Sequence, residues 1–315
     1  MVPNAGRYAT RVILVAVLVV AAAGPGTAQQ TADTSYHPPV PRPAYALGRG
    51  PRPLFDHAHH NFHRIDGRFR PFAELATGDG YRVSASDDRL TGDALAAADI
   101  LVIVNARGGE EPLSAGEPAF TPAERAAVRD WVRAGGALLL VADHAPFGAA
   151  AESLAVEFGV VMGKGFTLDP SPGRHDGENP SLLVFSQVDH LLGDHAILRG
   201  RDSTEAVGRV VTFTGQSLTV PDGAVPLLVL SPTAMDRPPP TREANEARAA
   251  RLARLRDSLA GLAARGVLTD SVIVTRPAVA VESRGAPTPA AGRAQGVALA
   301  FGRGRVVVLG SGELP

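Results

Sequence analysis

Two uninterrupted apolar segments constrain the fold of this chain more than any other feature. Residues 100–104 (ILVIV) and 137–142 (ALLLVA) hold no polar side chain, which is typical of parallel strands covered on both faces. Between them, Thr121 offers an N-cap hydroxyl, Pro122 takes the first helical position and Gly135-Gly136 ends the pattern, so a helix is predicted. Strand, helix and parallel strand together form a right-handed βαβ unit.

The same alternation extends over the rest of the chain. Strands are predicted at 54–55, 81–83, 159–162, 210–213, 227–230, 278–281, 297–300 and 306–309, and helices at 69–77, 90–98 and 149–158. Repeated strand–helix–strand units with short connections predict a doubly wound, mostly parallel α/β sheet with helices on both faces.

A separate helix is predicted at residues 241–265, as an insertion rich in arginine and alanine. Its leucines at 252, 255, 259 and 262 recur at helical spacing. Either this leucine stripe lies on the body of the domain, or it binds a partner or a second copy of the chain.

The first 52 residues are predicted to lie outside the folded domain. Arg7 and Arg11 precede an apolar run at 12–23 and small residues up to Ala28, so residues 1–28 resemble a secretory signal peptide. An uncleaved membrane anchor is the alternative, but a span needs about 20 apolar residues. Residues 29–52 are predicted as a proline-rich linker and residues 53–315 as the α/β domain. We therefore expect an exported protein, periplasmic or extracellular, with no stable membrane span after cleavage.

Composition narrows the partners and the chemistry. Lys and Arg number 31 against 32 for Asp and Glu, so no net charge attracts the chain to nucleic acid. The sequence gives no sign of an oligomeric state. It contains no cysteine, which excludes disulfides, thiolate metal sites and cysteine nucleophiles.

The best clue to chemistry is a cluster of four histidines in residues 56–63 (DHAHHNFH). His59 and His63 share a face if the segment is helical, whereas His57 and His59 share one if it is extended. With Asp56 and a ligand from residues 143–144, His59 and His63 could form a zinc-type site with one open position. The alternative is that these histidines are hydrogen-bonded and order the loop or contact a polar ligand.

Other candidate residues follow the other predicted strands. Ligands of open α/β sheets bind at the carboxyl ends of the strands, and we call this edge of the sheet the rim. Asp143 and His144 occupy a sharp strand-to-helix turn suited to acid–base catalysis, although Asp143 could simply cap the helix and His144 could pack under a loop. Gly108 and Gly109 could expose backbone N–H groups to an oxyanion, or form only a turn. Asn61 and His195 are predicted to contact the ligand, with residues 190–195 as a lid.

Several of these motifs resemble a poorly characterised exported branch of the class I glutamine-amidotransferase-like superfamily, which has a flavodoxin-like fold. The resemblance covers roughly residues 53–309. The motifs that carry it are Phe55-Asp56, His59, Asn61, His63, Pro71-Phe72, 79–83 (DGYRV), 131–136 (WVRAGG), 142–147 (ADHAPF) and 211–216 (VTFTGQ).

The resemblance also sets a limit on activity. In glutaminases of this superfamily, the turn after the fourth strand carries a nucleophilic cysteine and a glycine loop supplies the oxyanion hole. Here that turn is Asp143-His144, so glutaminase chemistry is excluded. The expected function is that of a hydrolase with a His/Asp site, with or without a metal such as zinc, acting on a small polar or carbohydrate-like substrate. The alternative is a non-catalytic glycan- or protein-binding module of an envelope or transport system, by analogy with related branches.

One departure from the pattern concerns residues 310–315 (GSGELP), which stand where a flavodoxin-like chain continues into a final helix. We expect a truncated chain or an altered reading frame there. The missing helix would leave one face of the sheet exposed to water.

Overall fold

The computed structural model describes residues 36–37, 39–111, 115–239, 241–265 and 285–312. The predicted signal peptide and the strand predicted at 278–281 lie outside these ranges. Most of the chain, residues 32–252 and 282–315, forms one compact unit. Residues Met1–Thr31 and Ala253–Val281 cluster as a second unit, of which the structure describes residues 253–265, the C-terminal part of a long helix.

The described elements alternate in the order that the sequence predicts for the first half of the domain. The helices are α1 (Arg70–Gly78), α2 (Gly92–Ala96), α3 (Pro122–Arg133), α4 (Phe147–Ala155), α5 (Ala196–Arg199) and α6 (Arg242–Ala264), with a 3-10 turn at Val156–Phe158. The strands are β1 (Pro53–Asp56), β2 (Ser84–Ser86), β3 (Ile100–Val104), β4 (Ala137–Val141), β5 (Phe166–Leu168), β6 (Leu182–Ser186), β7 (Arg209–Phe213), β8 (Val225–Val229), β9 (Met235–Arg237), β10 (Thr288–Pro289), β11 (Ala294–Phe301) and β12 (Gly304–Leu309).

The main sheet has seven strands in the order β2-β1-β3-β4-β12-β11-β8. The pairs from β2 to β12 are parallel, and β11 and β8 add antiparallel strands. With β12 in fifth place, the order 2-1-3-4-5 is that of flavodoxin-like folds. The predicted fold class, a flavodoxin-like α/β sheet, is therefore confirmed.

Helices cover both faces of this sheet, as the apolar strands require. On one face, Leu95 of α2, Val128 of α3 and Leu154 of α4 join Ile103 and Leu140 in one buried cluster. On the other face, α1 packs its Phe72 ring 6.0 Å from the ring of Phe55. Each fully buried leucine or valine of these strands stabilises the fold by roughly 1.5–3 kcal/mol.

Two sequence predictions need correction. Residues 159–162 do not form a strand; only Met162 makes an isolated bridge, to Leu218, while Val160 and Met162 fill the core from an irregular segment. A short apolar run indicates burial but does not fix the backbone conformation. The strand predicted at 81–83 is absent there, and the chain forms β2 at Ser84–Ser86 instead. The strand predicted at 210–213 is confirmed as β7, which pairs with β6 in a separate two-stranded antiparallel sheet, while β5, β9 and β10 make a third sheet.

The described part of the proline-rich segment has neither helix nor strand and follows the surface of the domain. The ring of Tyr45 packs edge-on against Tyr81 at 5.2 Å, and the Arg42 guanidinium lies 2.8 Å from carboxylate oxygens of both Asp202 and Glu205. Among the described helices, none has the length and apolar character of a membrane span.

Candidate functional site

The sheet register brings the predicted site loops to a common edge. Val104 pairs with Val141, and Val141 pairs with Leu309, so β3, β4 and β12 end level with one another. Asn105, Asp143 and the segment 310–312 therefore meet at the rim, together with the loop that follows Asp56. This agrees with the expected position of a ligand site in an open α/β sheet.

His59 lies at the centre of a buried ionic network. Its Nδ1 is 2.8 and 2.9 Å from the two carboxylate oxygens of Asp56, and its Nε2 is 3.0 Å from Oε1 of Glu124. The three side chains are 1%, 0% and 5% exposed. Since carboxylates accept hydrogen bonds, both ring nitrogens donate, and His59 is an imidazolium.

The pKa shifts in this network agree with that protonation state. Burial disfavours the imidazolium, but the hydrogen bonds to Asp56 and Glu124 outweigh it and raise the pKa of His59. Burial also disfavours the Glu124 carboxylate, yet hydrogen bonds from Thr121 and His59 lower its pKa to about 2. Glu124 completes the capping box of α3, because its carboxylate accepts the Thr121 N–H while the Thr121 hydroxyl accepts the Glu124 N–H.

Asn61 stabilises the same loop through buried hydrogen bonds. Its Nδ2 donates to Asp56 at 3.1 Å and to the carbonyl of Val104 at 3.2 Å, and its Oδ1 accepts the N–H of His59 at 3.1 Å. Asn61 is 5% exposed. These three hydrogen bonds use the side-chain amide of Asn61 to hold the loop in place. The ligand contact of Asn61 stays a prediction.

The predicted zinc-type site does not fit this geometry. A ligating histidine needs an unprotonated nitrogen that faces the metal, whereas both nitrogens of His59 face carboxylates. Within the described ranges, no group of three or more His, Asp or Glu side chains is arranged to hold a metal ion. Asp56, His59 and His63 are thus near neighbours in sequence that the structure does not bring together as metal ligands.

His63 is a neutral, buried imidazole. Its Nδ1 accepts a hydrogen bond from Nδ2 of Asn105 at 2.9 Å, and its ring stacks on Phe69 at 5.3 Å. Burial, aided by the positive charge of Arg68, lowers the pKa of His63 to about 4.

The low pKa of His63 predicts a loss of stability in acid. Between pH 6.5 and about 4 the unfolded chain binds a proton that folded His63 excludes, so this contribution is complete above pH 6.5 and disappears as the pH falls towards 4. A difference of about 2.5 pH units corresponds to roughly 3 kcal/mol. Denaturant unfolding at several pH values should show a steeper acid loss for the native chain than for His63→Asn, whose Oδ1 can still accept the Asn105 bond. Parallel pH profiles would refute this assignment.

Asn105 joins three loops of the rim and was not predicted as a site residue. Its side chain is fully buried, and its backbone has the left-handed φ of +47°. Besides its bond to His63, its Oδ1 accepts the N–H of Asp143 at 2.8 Å, and its amide lies against Gly312. An asparagine directly after a buried strand, where left-handed backbone favours Asn, was the available sequence signal.

Asp143 is buried at the strand-to-helix turn, with 2% exposure. Its carboxylate accepts the backbone N–H of His144 at 2.7 Å, and the N–H groups of Gly312 and Gly215 also point to it. Burial nevertheless raises its pKa. Thr214, just before Gly215, has a φ of +57°, which is unfavourable for a β-branched residue and marks a constrained turn.

His144 is half-buried, and its ring bonds to the backbone of the same turn. Its Nδ1 lies 2.7 Å from the carbonyl oxygen of Ala145, which can only accept, so Nδ1 carries a proton and, in the neutral form of the ring, Nε2 is the acceptor. Asp143 and His144 are therefore consecutive residues whose side chains bond to backbone groups and not to each other.

A row of aromatic rings runs along this part of the rim. The ring of His144 lies 4.7 Å from Phe166 and 6.4 Å from Phe147, and Phe147 lies 5.7 Å from Phe62. Phe62 is 44% exposed. We call Phe62, Phe147, His144 and Phe166 the aromatic row.

Gly108 and His195 make structural contacts that the sequence did not predict, while Gly109 is a partly exposed loop residue. The N–H of Gly108 donates to the carbonyl of Ala115 at 3.1 Å, and a Cβ at Gly108 would lie 2.3 Å from the Glu117 carbonyl oxygen, so close packing requires the glycine. His195 caps α5, since its Nδ1 accepts the N–H of Ile197 at 3.2 Å.

Gln216 is a second residue that sequence reasoning did not assign to the site. Its Nε2 donates to the carbonyls of Ala142 and Asp143, at 2.8 and 3.0 Å, and its Oε1 accepts the N–H of Lys164. A Cβ at Gly148 would lie 2.2 Å from this amide. Gln216 is the last residue of the motif 211–216, so the sequence did single it out. The motif does not show which backbone groups the Gln216 side chain contacts.

Comparisons with known proteins agree on fold only. No family model matches the chain, and no curated protein matches it. The solved mmIFT52 N-terminal domain is similar at 14% identity and a TM-score of 0.51, over 82% of this chain and 85% of that chain. A ThuA-like protein from Bacteroides uniformis ATCC 8492 has 18% identity and a TM-score of 0.37, over 62% and 73%. Cytoplasmic protein STM1381 from Salmonella typhimurium LT2 has 12% identity and a TM-score of 0.38, over 82% and 87%.

Proposed function

We propose that this chain is an amidotransferase-like domain without glutaminase activity, whose rim binds a small polar or carbohydrate-like ligand. The flavodoxin-like strand order supports the first part, together with Asp143-His144 at the turn where glutaminases carry their cysteine. A chain without cysteine cannot form the thioester of that reaction. We also propose that residues 1–28 direct export, so the ligand would be periplasmic or extracellular.

The observation that carries the binding proposal is that most of the candidate acid–base groups are held by internal hydrogen bonds. Both nitrogens of His59 face carboxylates, Nδ1 of His63 faces Asn105, and the Asp143 carboxylate faces backbone N–H groups. His144 differs from them, because it is half-buried and its Nδ1 donates to the Ala145 carbonyl, which leaves Nε2 as the acceptor when the ring is neutral. That nitrogen can accept a hydrogen bond from a ligand hydroxyl.

The aromatic row gives such a ligand a surface to pack on. Ligand sites combine apolar and aromatic walls with a few polar groups that fix orientation. The exposed ring of Phe62 and the imidazole of His144 both flank Phe147. A sugar ring fits this combination because it has an apolar C–H face and hydroxyl groups at its edge.

A hydrolase is the second candidate, and one observation favours it. Asp143 is a buried carboxyl group with a raised pKa at a strand-to-helix turn, and perturbed groups of this kind are enriched in active sites. In that function Asp143 and His144 would together supply the acid–base chemistry, with Nε2 of His144 as the group that accepts a proton.

Ligand binding without turnover separates the two candidates. Monosaccharides and small polyols should be screened by thermal shift, and a hit should be tested by calorimetry and for product formation. We expect His144→Ala and Phe62→Ala to weaken binding of the hit about tenfold or more, roughly 1.4 kcal/mol, with no product formed. His195→Ala is the matched control, because it removes a histidine from a helix cap and should leave affinity unchanged. Turnover that His144→Ala abolishes would establish the hydrolase instead.

A further inference from the structure

Two arginines lie beside the exposed end of the aromatic row. The guanidinium carbon of Arg68 lies over the ring of Phe62, 4.9 Å from its centre, and Arg68 is half-buried. In the neighbouring loop, Nε of Arg107 donates to the carbonyl of His60 at 2.7 Å. This bond places a second half-buried cation beside the loop that carries Phe62. The Phe62 end of the aromatic row is therefore cationic.

The contact with Phe62 holds Arg68 in a way that suits an anion. A guanidinium over an aromatic ring is attracted to the face of that ring. Its five N–H donors lie in its own plane, in a fork that matches two oxygen atoms of a carboxylate or phosphate group. Because Arg68 is half-buried, its attraction to an anion is less screened by water than that of a fully exposed arginine.

The buried carboxyl groups of the rim already have partners of their own. The carboxylates of Asp56 and Glu124 lie on either side of the His59 imidazolium, and Glu124 also contacts Arg89 at 3.4 Å. The Asp143 carboxyl group accepts hydrogen bonds from backbone N–H groups. These buried acids therefore do not neutralise the cationic end of the aromatic row.

The exposed charges nearby have a smaller effect. Glu110 and Glu111 are exposed in the loop after Arg107, and the Glu110 carboxylate lies 3.6 Å from the His60 ring. Exposed charges are screened by water and salt, so they offset a half-buried arginine only in part. At the other end of the aromatic row, the cation Lys164 is paired with a carboxylate of α4 at 2.8 Å. The place best suited to an anion is thus beside Phe62.

We propose that Arg68 and Arg107 select an anionic sugar, one that carries a carboxylate or phosphate group, as the ligand of the rim. This inference rests on the function proposed above and narrows its class of ligand. The anionic group pairs with Arg68 while the sugar ring packs on the aromatic row. Nucleic acid fits less well, because its binding needs cations along several phosphates, whereas this end of the row offers two.

Two series of sugars that differ only at carbon 6 test the inference on the full chain. One is glucose, glucuronate and glucose 6-phosphate, and the other is galactose, galacturonate and galactose 6-phosphate. Calorimetry at low salt should show an anionic member that binds about tenfold or more tightly than the neutral hexose of its series, with a preference that falls as salt rises. The carboxylate and phosphate members distinguish the two sources of the anionic group.

Variants of the chain locate the selective residue. Arg68→Gln should reduce the preference to less than about threefold and change the affinity for the neutral hexose by less than about threefold, whereas Arg68→Lys should retain part of the preference. Arg133→Gln is the matched control. Arg133 also lies over a phenylalanine ring, 5.0 Å from the centre of Phe301, but it precedes β4 and so lies at the opposite edge of the sheet. This control should keep the full preference.

The outcomes separate this inference from the proposed function. Equal affinity for the neutral and anionic members would overturn the inference and leave the proposed function in place, whereas no binding of any of the six sugars would overturn both. An equal loss of preference in Arg68→Gln and Arg133→Gln would show a general effect of charge and would also overturn the inference. Thermal unfolding of each variant checks that it is folded, and Arg68→Lys keeps the test valid if Arg68→Gln is not.

Discussion

Replacing His59 with alanine is expected to lower the free energy of unfolding by about 3–5 kcal/mol, the usual effect of removing one partner from a buried ionic group. The substitution would leave the carboxylates of Asp56 and Glu124 buried without the imidazolium between them. Denaturant unfolding at pH 7 measures the change. We expect Glu124→Gln, which keeps the shape and removes one charge, to destabilise the fold less than His59→Ala does.

His37→Ala is the matched control for this substitution. His37 also contacts a carboxylate, Glu74, at 2.8 Å, but its side chain is 71% exposed. An exposed ion pair contributes only about 0–1 kcal/mol, so the control should change stability little. Similar small effects of His59→Ala and His37→Ala would show that the buried network is not the stabilising feature described above.

Replacing Asn105 with alanine is the second change with a large expected effect, about 2–4 kcal/mol of lost stability. It removes both side-chain bonds and leaves the N–H of Asp143 and Nδ1 of His63 buried without these partners, and each such group costs about 1–3 kcal/mol. Alanine must also adopt the left-handed backbone of Asn105, which costs about 1 kcal/mol more than asparagine or glycine would. Unfolding experiments on the purified variants measure the loss.

Asn105→Gly separates the two contributions. Glycine loses the same hydrogen bonds but adopts a positive φ without strain, so we expect it to be more stable than Asn105→Ala by about 1 kcal/mol. If alanine were as stable as glycine there, backbone strain at residue 105 would be excluded. If neither variant lost stability, the bonds of Asn105 would not hold the rim together.

Sequence predicted the fold well where burial and periodicity determine the backbone. The apolar runs of β3 and β4 and the capped helix α3 were each predicted from local signals, and their parallel order followed from connection rules. The error at residues 159–162 has the same origin, because Val160 and Met162 are buried like strand residues but pair with no neighbouring strand.

The sequence predicted where the candidate residues lie in the fold, but not which groups they contact. The segment 56–63 does lie at the rim beside the turn at Asp143, as expected from strand order. The partner that decides the state of His59 is Glu124, which stands 65 positions later, in the helix predicted after Thr121. A capping residue whose second oxygen contacts a distant histidine leaves no signal in one sequence, and neither does the bond from Asn105 to His63.

The most direct test of this account is a long-range proton–nitrogen NMR spectrum of the histidine side chains at pH 7. We expect His59 to be protonated on both nitrogens and unchanged by equimolar zinc, His63 to be neutral, and His144 to carry a proton on Nδ1. A His59 ring with an unprotonated nitrogen that shifts on addition of zinc would contradict the account.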